Sequence, residues 1–491
     1  MPDRPNIIYI MTDQHRLSAV GAYGPTVCET PNIDRLAAEG MLFENAYCAF
    51  PVCSPARGTI MTGRFPHGHG ITANIHEVGC SVHELEDRPS LLPRRLQAAG
   101  YSTGYTGKWH LGTNSTSAFG GSNKPSMPAD MGFEGQGFPG HGGSGRGYPE
   151  YRAWMQRNGY APKQYAPRKT ARPGAARGGE TLEIPAEHTV PGFLIHCTIE
   201  MIEQFQQRDA PWFIDLNFWG PHNPYEATTE YVEKYKDIEI PKWPNYEWPS
   251  RETPGPHQVK IHWDQETLSW SDWAETIRYY YARASMIDGQ IGRLCAYLEQ
   301  AGLLENTVLL FSADHGETLG SHGGLLDKGW HHFEETSRIP MLVRMPDATG
   351  AGKRSDKFVS QCDVYPTVLD IAGAEWDRDA VHGTSFMPLV RGEHVPWRDC
   401  VVTEFLGLGN FATTMKMIRH GNIKYGFNAV AEDELYDLAK DPHEMRNLVK
   451  DPDYRDTLEQ MRERLLAWMA ETQDPARRMV LWRFGRAPTR G

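Results

Sequence analysis

Asn6-Ile7-Ile8-Tyr9-Ile10-Met11-Thr12-Asp13-Gln14 decides the reading of the chain. A run this apolar, without polar alternation, fits a strand covered on both faces, and Asp13 and Gln14 stand at its carboxyl end. Two further runs share the pattern. Trp212-Phe213-Ile214-Asp215-Leu216 leads to Gly220-Pro221-His222, and Thr307-Val308-Leu309-Leu310-Phe311 leads to Asp314-His315-Gly316. Helix-length segments fall between them at 91–99, 193–207 and 277–301. The alternation predicts an α/β fold built on a large mixed, mostly parallel sheet flanked by helices. Ligands of such sheets bind beyond the carboxyl ends of the strands. Asp13, Gln14, Asp314 and His315 therefore offer carboxylate, amide and imidazole ligands for one divalent ion, although any one of them alone also fits a turn or cap.

Working outward, 491 residues exceed what one core usually holds. We expect a catalytic domain at 1–385, with a Gly/Pro-rich insertion near 113–180, and an α+β subdomain with a tail at 386–491. In the second unit, strand-like runs at 401–405, 415–425 and 434–438 precede an amphipathic run at 454–472, which predicts a smaller antiparallel sheet packed with a C-terminal helix. The insertion reads equally as a shaper of substrate choice or as a mobile surface loop, and so does the Pro/Trp-rich stretch 240–257. The tail carries Leu481, Trp482 and Phe484, so it should be covered, either by its own chain or by a second subunit. The expectation taken forward is a tail that crosses between subunits of a homodimer or higher homo-oligomer.

The formal net charge of −12 and the pI of about 5.9 argue against a nucleic-acid partner, so an anionic substrate must be drawn in by local cations. The eight cysteines form no Cys-x-x-Cys pair, which removes the usual zinc-ribbon and redox spacings and makes a disulfide framework unexpected. The N-terminal residues lack a signal-peptide pattern, and no apolar run approaches the ~18 residues of a membrane span. A cytoplasmic enzyme without a membrane partner is the expectation.

The remaining motif is Cys53-Ser54-Pro55-Ala56-Arg57, followed by Thr62-Gly63-Arg64. Ser54-Pro55 reads as a helix start, which places Cys53 beside backbone N–H groups that favour an anion. Such a cysteine is either an activated thiol or a buried structural residue. The Cys-x-Pro-x-Arg pattern with its trailing Thr-Gly resembles the signature of the type I sulfatases, in which the cysteine is oxidised to Cα-formylglycine. The resemblance continues through 6–13, Thr30-Pro31-Asn32, Gly107-Lys108-Trp109-His110, Asp314-His315-Gly316 and Leu435-Tyr436-Asp437-Leu438.

The resemblance implies an alkaline-phosphatase-like fold and hydrolysis of a small-molecule sulfate ester by the aldehyde hydrate. Formylglycine hydrolysis of phosphonate monoesters or phosphodiesters is the alternative, and a non-catalytic metal-stabilised binding protein is a more distant one. It implies that Asp13, Gln14, Asp314, His315 and modified Cys53 hold one divalent cation, that Arg57 orients the hydrate, and that Lys108, His110, His222 and Lys328 surround the sulfate. His222 or Lys328 would protonate the leaving alcohol, with His110 as base, and the amide of Asn74 would bind the same group. A formylglycine-generating enzyme is the implied maturation partner. Gln14, His315 and Ala56 depart from the commonest pattern. The first two resemble the branch containing choline sulfatase, several bacterial sulfatases and phosphonate monoester hydrolases. They leave Ca²⁺ as the first expectation and Mn²⁺ as the alternative, because imidazole suits Mn²⁺ better. Trp109, Trp219, Tyr225 and Trp330 flank these motifs and suit either substrate contact or core packing.

Overall fold

In the computed structural model, the run Asn6–Asp13 is an inner strand with every residue buried. The structure describes residues 4–75, 77, 79–113, 125–140, 143–162, 164, 168–169, 179–247, 268–409 and 411–486. Much of the 113–180 insertion and residues 248–257 of the Pro/Trp-rich stretch therefore lie outside the described residues. The strands in chain order are β1 (Asn6–Asp13), β2 (Met41–Tyr47), β3 (Ser102–Gly107), β4 (Glu134–Gly135), β5 (Arg168–Lys169), β6 (Gly179–Leu182), β7 (Trp212–Pro221), β8 (Tyr225–Thr228), β9 (Thr307–Ala313), β10 (Met341–Arg344), β11 (Lys353–Ser360), β12 (Cys400–Leu408), β13 (Phe411–His420), β14 (Ile423–Asn428) and β15 (Glu434–Asp437).

Eight strands form the large sheet in the order β11-β2-β10-β9-β1-β7-β3-β4. Strand β10 runs antiparallel to both neighbours, and every other pair is parallel. The mostly parallel sheet is thus as the sequence implied. Alternate side chains of β1 enter different cores. Ile7, Tyr9 and Met11 join Phe213 and Leu310 on one face, while Ile8 and Ile10 join Ile214, Leu216, Leu309 and Phe311 on the other. Both faces are dry, so Ile7 to Met11 form a continuous apolar run, and the first charged side chain comes at the carboxyl end of the strand, at Asp13.

The flanking helices form where helix-length segments were read: 91–99 is the helix Leu92–Ala98, and the other two start earlier than their apolar runs. Segment 193–207 is the helix Val190–Phe205, capped by Thr189 on the Gly192 N–H, and 277–301 is the helix Trp270–Gln300, opened by a Ser269/Asp272 capping box. These caps supply start signals ahead of the apolar runs.

Four strands form the second sheet in the order β12-β13-β14-β15, all antiparallel. The single run expected at 415–425 is two strands. His420 pairs with Ile423, and Gly421, with φ 54°, takes the left-handed conformation that the two-residue turn needs. Helix Arg455–Glu471 buries Leu458, Met461, Leu465 and Met469 against Val402, Ile418, Tyr425 and Phe427 of this sheet.

The tail corrects the crossed-subunit expectation. Its helix Arg477–Arg483 buries Val480 and Leu481 in the same core, and Phe484 packs edge-on to Phe427 at 5.8 Å. The apolar residues expected to need a partner are covered by their own chain, except Trp482, which is 69% exposed. Truncation after Arg478 should therefore destabilise the protein by about 3 kcal/mol, at roughly 1.5–3 kcal/mol per large buried apolar side chain. Urea unfolding monitored by circular dichroism checks this, and an unchanged midpoint would show that the docked tail is dispensable.

Candidate active site

Four adjacent parallel strands, β9, β1, β7 and β3, deliver their carboxyl ends to one place. Strand β1 ends at Asp13, and β9 is followed by Asp314 and His315. Strand β7 is followed by His222, and β3 by Lys108. The backbone continues the pairing beyond the strands: Asp314 N–H donates to Thr12 O at 3.1 Å, and His222 N–H donates to Asp13 O at 3.0 Å. Residues about 300 apart in sequence are brought together by strand adjacency alone.

Cys53 enters from a different direction, as the first residue of the buried helix Cys53–Thr62. The residue before it, Val52, offers no side-chain cap. The N–H groups at the buried start of the helix are served from outside it, because Asn74 Oδ1 accepts the Ser54 N–H at 3.1 Å. Asn74, expected to bind substrate, thus spends its carbonyl on seating this helix, while its amide donates to Glu77 Oε1 at 3.3 Å.

Cys53 Sγ lies 3.3 Å from His315 Nε2, 3.4 Å from Lys108 Nζ and 3.7 Å from Asp13 Oδ1. Lys108 also bonds Asp13 Oδ2. Arg57, one helical turn after Cys53, is fully buried. It donates to Asp314 Oδ2 at 3.0 Å, Asp13 Oδ2 at 3.3 Å, Asn217 Oδ1 at 3.1 Å and Lys108 O at 2.7 Å. Its hydrogen bonds fix the two carboxylates and the Lys108 backbone rather than Cys53. Asp13, Cys53, Asp314 and His315 offer ligand atoms all within 4.8 Å of one another, and all four residues are buried. Gln14 follows in the left-handed region at φ 61°, a costly conformation for a non-glycine residue, and its N–H donates to Asp314 Oδ1 at 2.9 Å.

The electrostatics follow from burial and these contacts. Burial pushes the Asp13 carboxyl up, but Lys108 and Arg57 outweigh it, and Asp13 titrates well below the usual carboxylate range. His315 is lowered by burial but raised more by Asp314 and Cys53, to about 9.

The second half of the pocket carries a proton whose position the geometry assigns. His222 Nδ1 lies 2.6 Å from Asn223 O and can only donate there, so Nε2 is the acceptor. Lys328 Nζ is 2.9 Å from that Nε2 and 2.7 Å from Gln14 Oε1, and pairs with Asp327 at 2.9 Å. Lys328 therefore holds the proton and His222 is neutral. Burial, then the Lys328 charge, lowers His222 to about 3, while Asp327 and Cys53 offset burial and raise Lys328. His110 is half-buried two residues beyond Lys108, with φ 56°.

Three participants were not singled out from sequence. Asn217 is aimed at Arg57 by Asp215, whose Oδ1 accepts the Asn217 amide at 2.6 Å. Asp215 is pushed up to about 7 by burial. Both interrupt an otherwise apolar strand at alternate positions, which was the available signal. Glu317, one residue past the Asp-His-Gly motif, bonds the Gln14 amide. The four aromatic candidates are core residues: Trp109 packs on Tyr105 at 5.2 Å, Trp219 on Tyr148 at 5.9 Å, Tyr225 on Tyr280 at 5.6 Å and Trp330 on Phe411 at 4.4 Å.

Comparison with known proteins places this geometry. The family model described as Sulfatase matches residues 5–374, and one described as N-sulphoglucosamine sulphohydrolase, C-terminal, matches 320–471. An uncharacterized sulfatase, YidJ, of Escherichia coli (strain K12) is 30% identical over 96% of this chain and 89% of its own length. A choline-sulfatase of Rhizobium meliloti (strain 1021) is 26% identical over 91% and 83% of the two chains. The crystal structure of a phosphonate monoester hydrolase of Agrobacterium radiobacter superposes with a TM-score of 0.78 at 25% identity, covering 96% of this chain and 97% of the other. Among the described residues, no helix is long and apolar enough to cross a membrane.

The assigned proton gives a test of the pocket. With a folded-state value near 3 against an ordinary value of about 6.5, His222 favours the fold fully above pH 6.5, and that contribution fades as pH falls towards 3. Nitrogen-15 histidine spectra should show a neutral Nδ1–H ring at pH 5, and Lys328→Met, which removes the neighbouring charge, should shift its titration upward. An imidazolium at pH 5 in the unaltered protein would contradict the assignment.

Proposed function

Because the chain belongs to the sulfatase family and is a sulfuric ester hydrolase, we propose that it releases sulfate from a monoester by means of Cys53 converted to Cα-formylglycine, with one divalent cation beside it. The observation that supports this reading is the setting of Cys53 Sγ: a helix N-terminus, two carboxylates, an imidazole and a lysine ammonium converge on one buried atom. An inert core cysteine has no use for such neighbours.

The donor chemistry fits a cation. Asp13 and Asp314 supply hard oxygens, His315 supplies a nitrogen, and Cys53 Sγ marks the place of a hydrate oxygen. Ca²⁺ suits the oxygens, with Mn²⁺ as the alternative suited to His315. When bound, the cation and the aldehyde hydrate supply charge neutralisation and a nucleophilic oxygen. Gln14 offers its Oε1 on the side of Lys328.

The side chains divide the remaining work. Arg57 holds both carboxylates in place, and Lys108 presents a point charge beside Cys53 for an anionic ester oxygen. Lys328 gives its proton to the departing alcohol, since His222 has none at Nε2 to give. His222 keeps the Lys328 ammonium aimed at the pocket, and His110 serves as the base that completes turnover. Cys53 is 1% exposed, so a formylglycine-generating enzyme must act on the chain before this site closes.

Cys53→Ala should abolish turnover while leaving the fold intact, and the active protein should carry a Cys53 peptide lighter by about 18 Da. An active alanine variant would refute the mechanism. Asp13→Ala and Asp314→Ala should each lose the cation by elemental analysis, and a full metal complement in both would refute the ligand set. Matched aryl sulfate and aryl phosphonate monoesters should show the higher kcat/KM on the sulfate. The reverse order would transfer the assignment to phosphonate hydrolysis, the activity named for the Agrobacterium structure.

A further inference from the structure

Glu317 is wholly buried, as is Gln14, and its carboxylate has two distinct sets of partners. Oε2 accepts the Gln14 Nε2 amide. Oε1 accepts the backbone N–H groups of Leu319 at 3.0 Å and Asp327 at 2.5 Å, with the Thr318 hydroxyl at 3.4 Å. One side chain thus ties the residue after β1 to both ends of the loop that delivers Lys328. No lysine, arginine or histidine side chain forms an ion pair with this carboxylate among the described residues, so its partners are neutral donors.

The chemistry of the two neighbours fixes the amide of Gln14. A carboxylate only accepts, so Glu317 can face only the NH₂ end of the amide. An ammonium only donates, so Lys328 Nζ, 2.7 Å away, can face only the carbonyl end. The two demands agree, and together they turn Gln14 Oε1 towards the pocket. We propose that Glu317 is a positioning residue: it acts through Gln14, holding that amide in the single orientation that presents oxygen to the cation and to Lys328. This rests on the metal-dependent reading given above.

Glu317→Gln separates this role from simple support of the loop. The introduced amide has the same shape, and its oxygen can still accept the Leu319 and Asp327 N–H groups, so the loop keeps its anchor. Its NH₂ end then faces the NH₂ end of Gln14, and relief comes only if Gln14 flips and turns a donor towards the pocket. The reciprocal exchange Gln14→Glu with Glu317→Gln restores every pairing with donor and acceptor reversed, and returns an oxygen to Lys328.

The test titrates Mn²⁺ and Ca²⁺ into metal-stripped protein by calorimetry and follows thermal unfolding of the same samples. Glu317→Gln should weaken cation binding by about 10- to 100-fold, the usual scale for a group that orients a ligand, with little change in Tm of the metal-free protein. The double exchange should recover most of that loss. Wild-type affinity in Glu317→Gln, or a double exchange no better than Glu317→Gln, overturns the proposal. If Glu317→Gln alone does not fold, the double exchange decides: a folded, cation-binding protein supports the proposal, and a folded protein without affinity refutes it. Unaltered protein that binds neither ion overturns the metal reading and this proposal together, whereas normal binding that is indifferent to Glu317→Gln overturns only this one.

Discussion

The site depends on a buried carboxylate that is never alone. Asp13 has no exposed surface, and an isolated ionised carboxylate there would cost far more than the fold can spare. Lys108 and Arg57, which meet it at the carboxyl end of the strand, keep it charged. Each of these partners is itself held: Lys108 by the end of β3, and Arg57 by Asp314, Asn217 and the Lys108 carbonyl. Removing any one leaves an unpaired buried charge, so the parallel sheet, the Cys53 helix and the charge cluster stand or fall together. The cluster constrains which strands may be neighbours as much as the apolar core does.

Much of this was legible in the chain because dry strands leave a plain record. Strands β1, β7 and β9 read as apolar runs since both of their faces are covered, and the first charged residues after them mark the sheet edge. Asp13, Asp314, His315 and His222 were found that way. Lys108, Lys328, Arg57 and Cys53 needed the family resemblance, because nothing local to a lysine on a loop says what it faces. Asn217 and Glu317 escaped because they touch other side chains of the site rather than the expected substrate. The split was available in the sequence, because Arg419-His420-Gly421-Asn422 interrupts the run with a Gly-Asn turn dipeptide, but the apolar residues on both sides were read as one strand. The crossed tail failed for a related reason: exposure of Leu481 and Phe484 was inferred from composition, whereas the partner surface is a sheet lying earlier in the same chain.

The second sheet is also joined to the site. Phe405 and Met415 pack with Phe50 and Val52, which immediately precede Cys53, and with Trp330, two residues past Lys328. At the turn of the same hairpin, Gly409 N–H donates to Glu77 Oε2 at 2.9 Å, while Glu77 Oε1 accepts the amide of Asn74, the residue that seats the Cys53 helix. The β12–β13 hairpin therefore braces both the Cys53 helix and the loop that carries Lys328. Trp330, which from sequence suited either substrate contact or core packing, is spent on this bracing, packed on Phe411.

A chain of net charge −12 reconciles itself with an anionic substrate at this one point. Three carboxylates, Asp13, Asp314 and Asp327, face the cations Arg57, Lys108 and Lys328, with His315 raised to about 9 beside them, and the divalent cation proposed above would raise the balance further. The pocket is short of negative charge while the chain as a whole has it in excess, so attraction is local and acts within a Debye length of about 8 Å at physiological salt. Sulfate and phosphonate monoesters each bring one negative charge on a tetrahedral centre, so this electrostatic surplus draws in both alike. Preference between them must arise where the two differ, in how much charge gathers on the leaving oxygen and how readily it is protonated. In the mechanism proposed above that step falls to Lys328, which donates to neutral His222 and whose loop is anchored by Glu317.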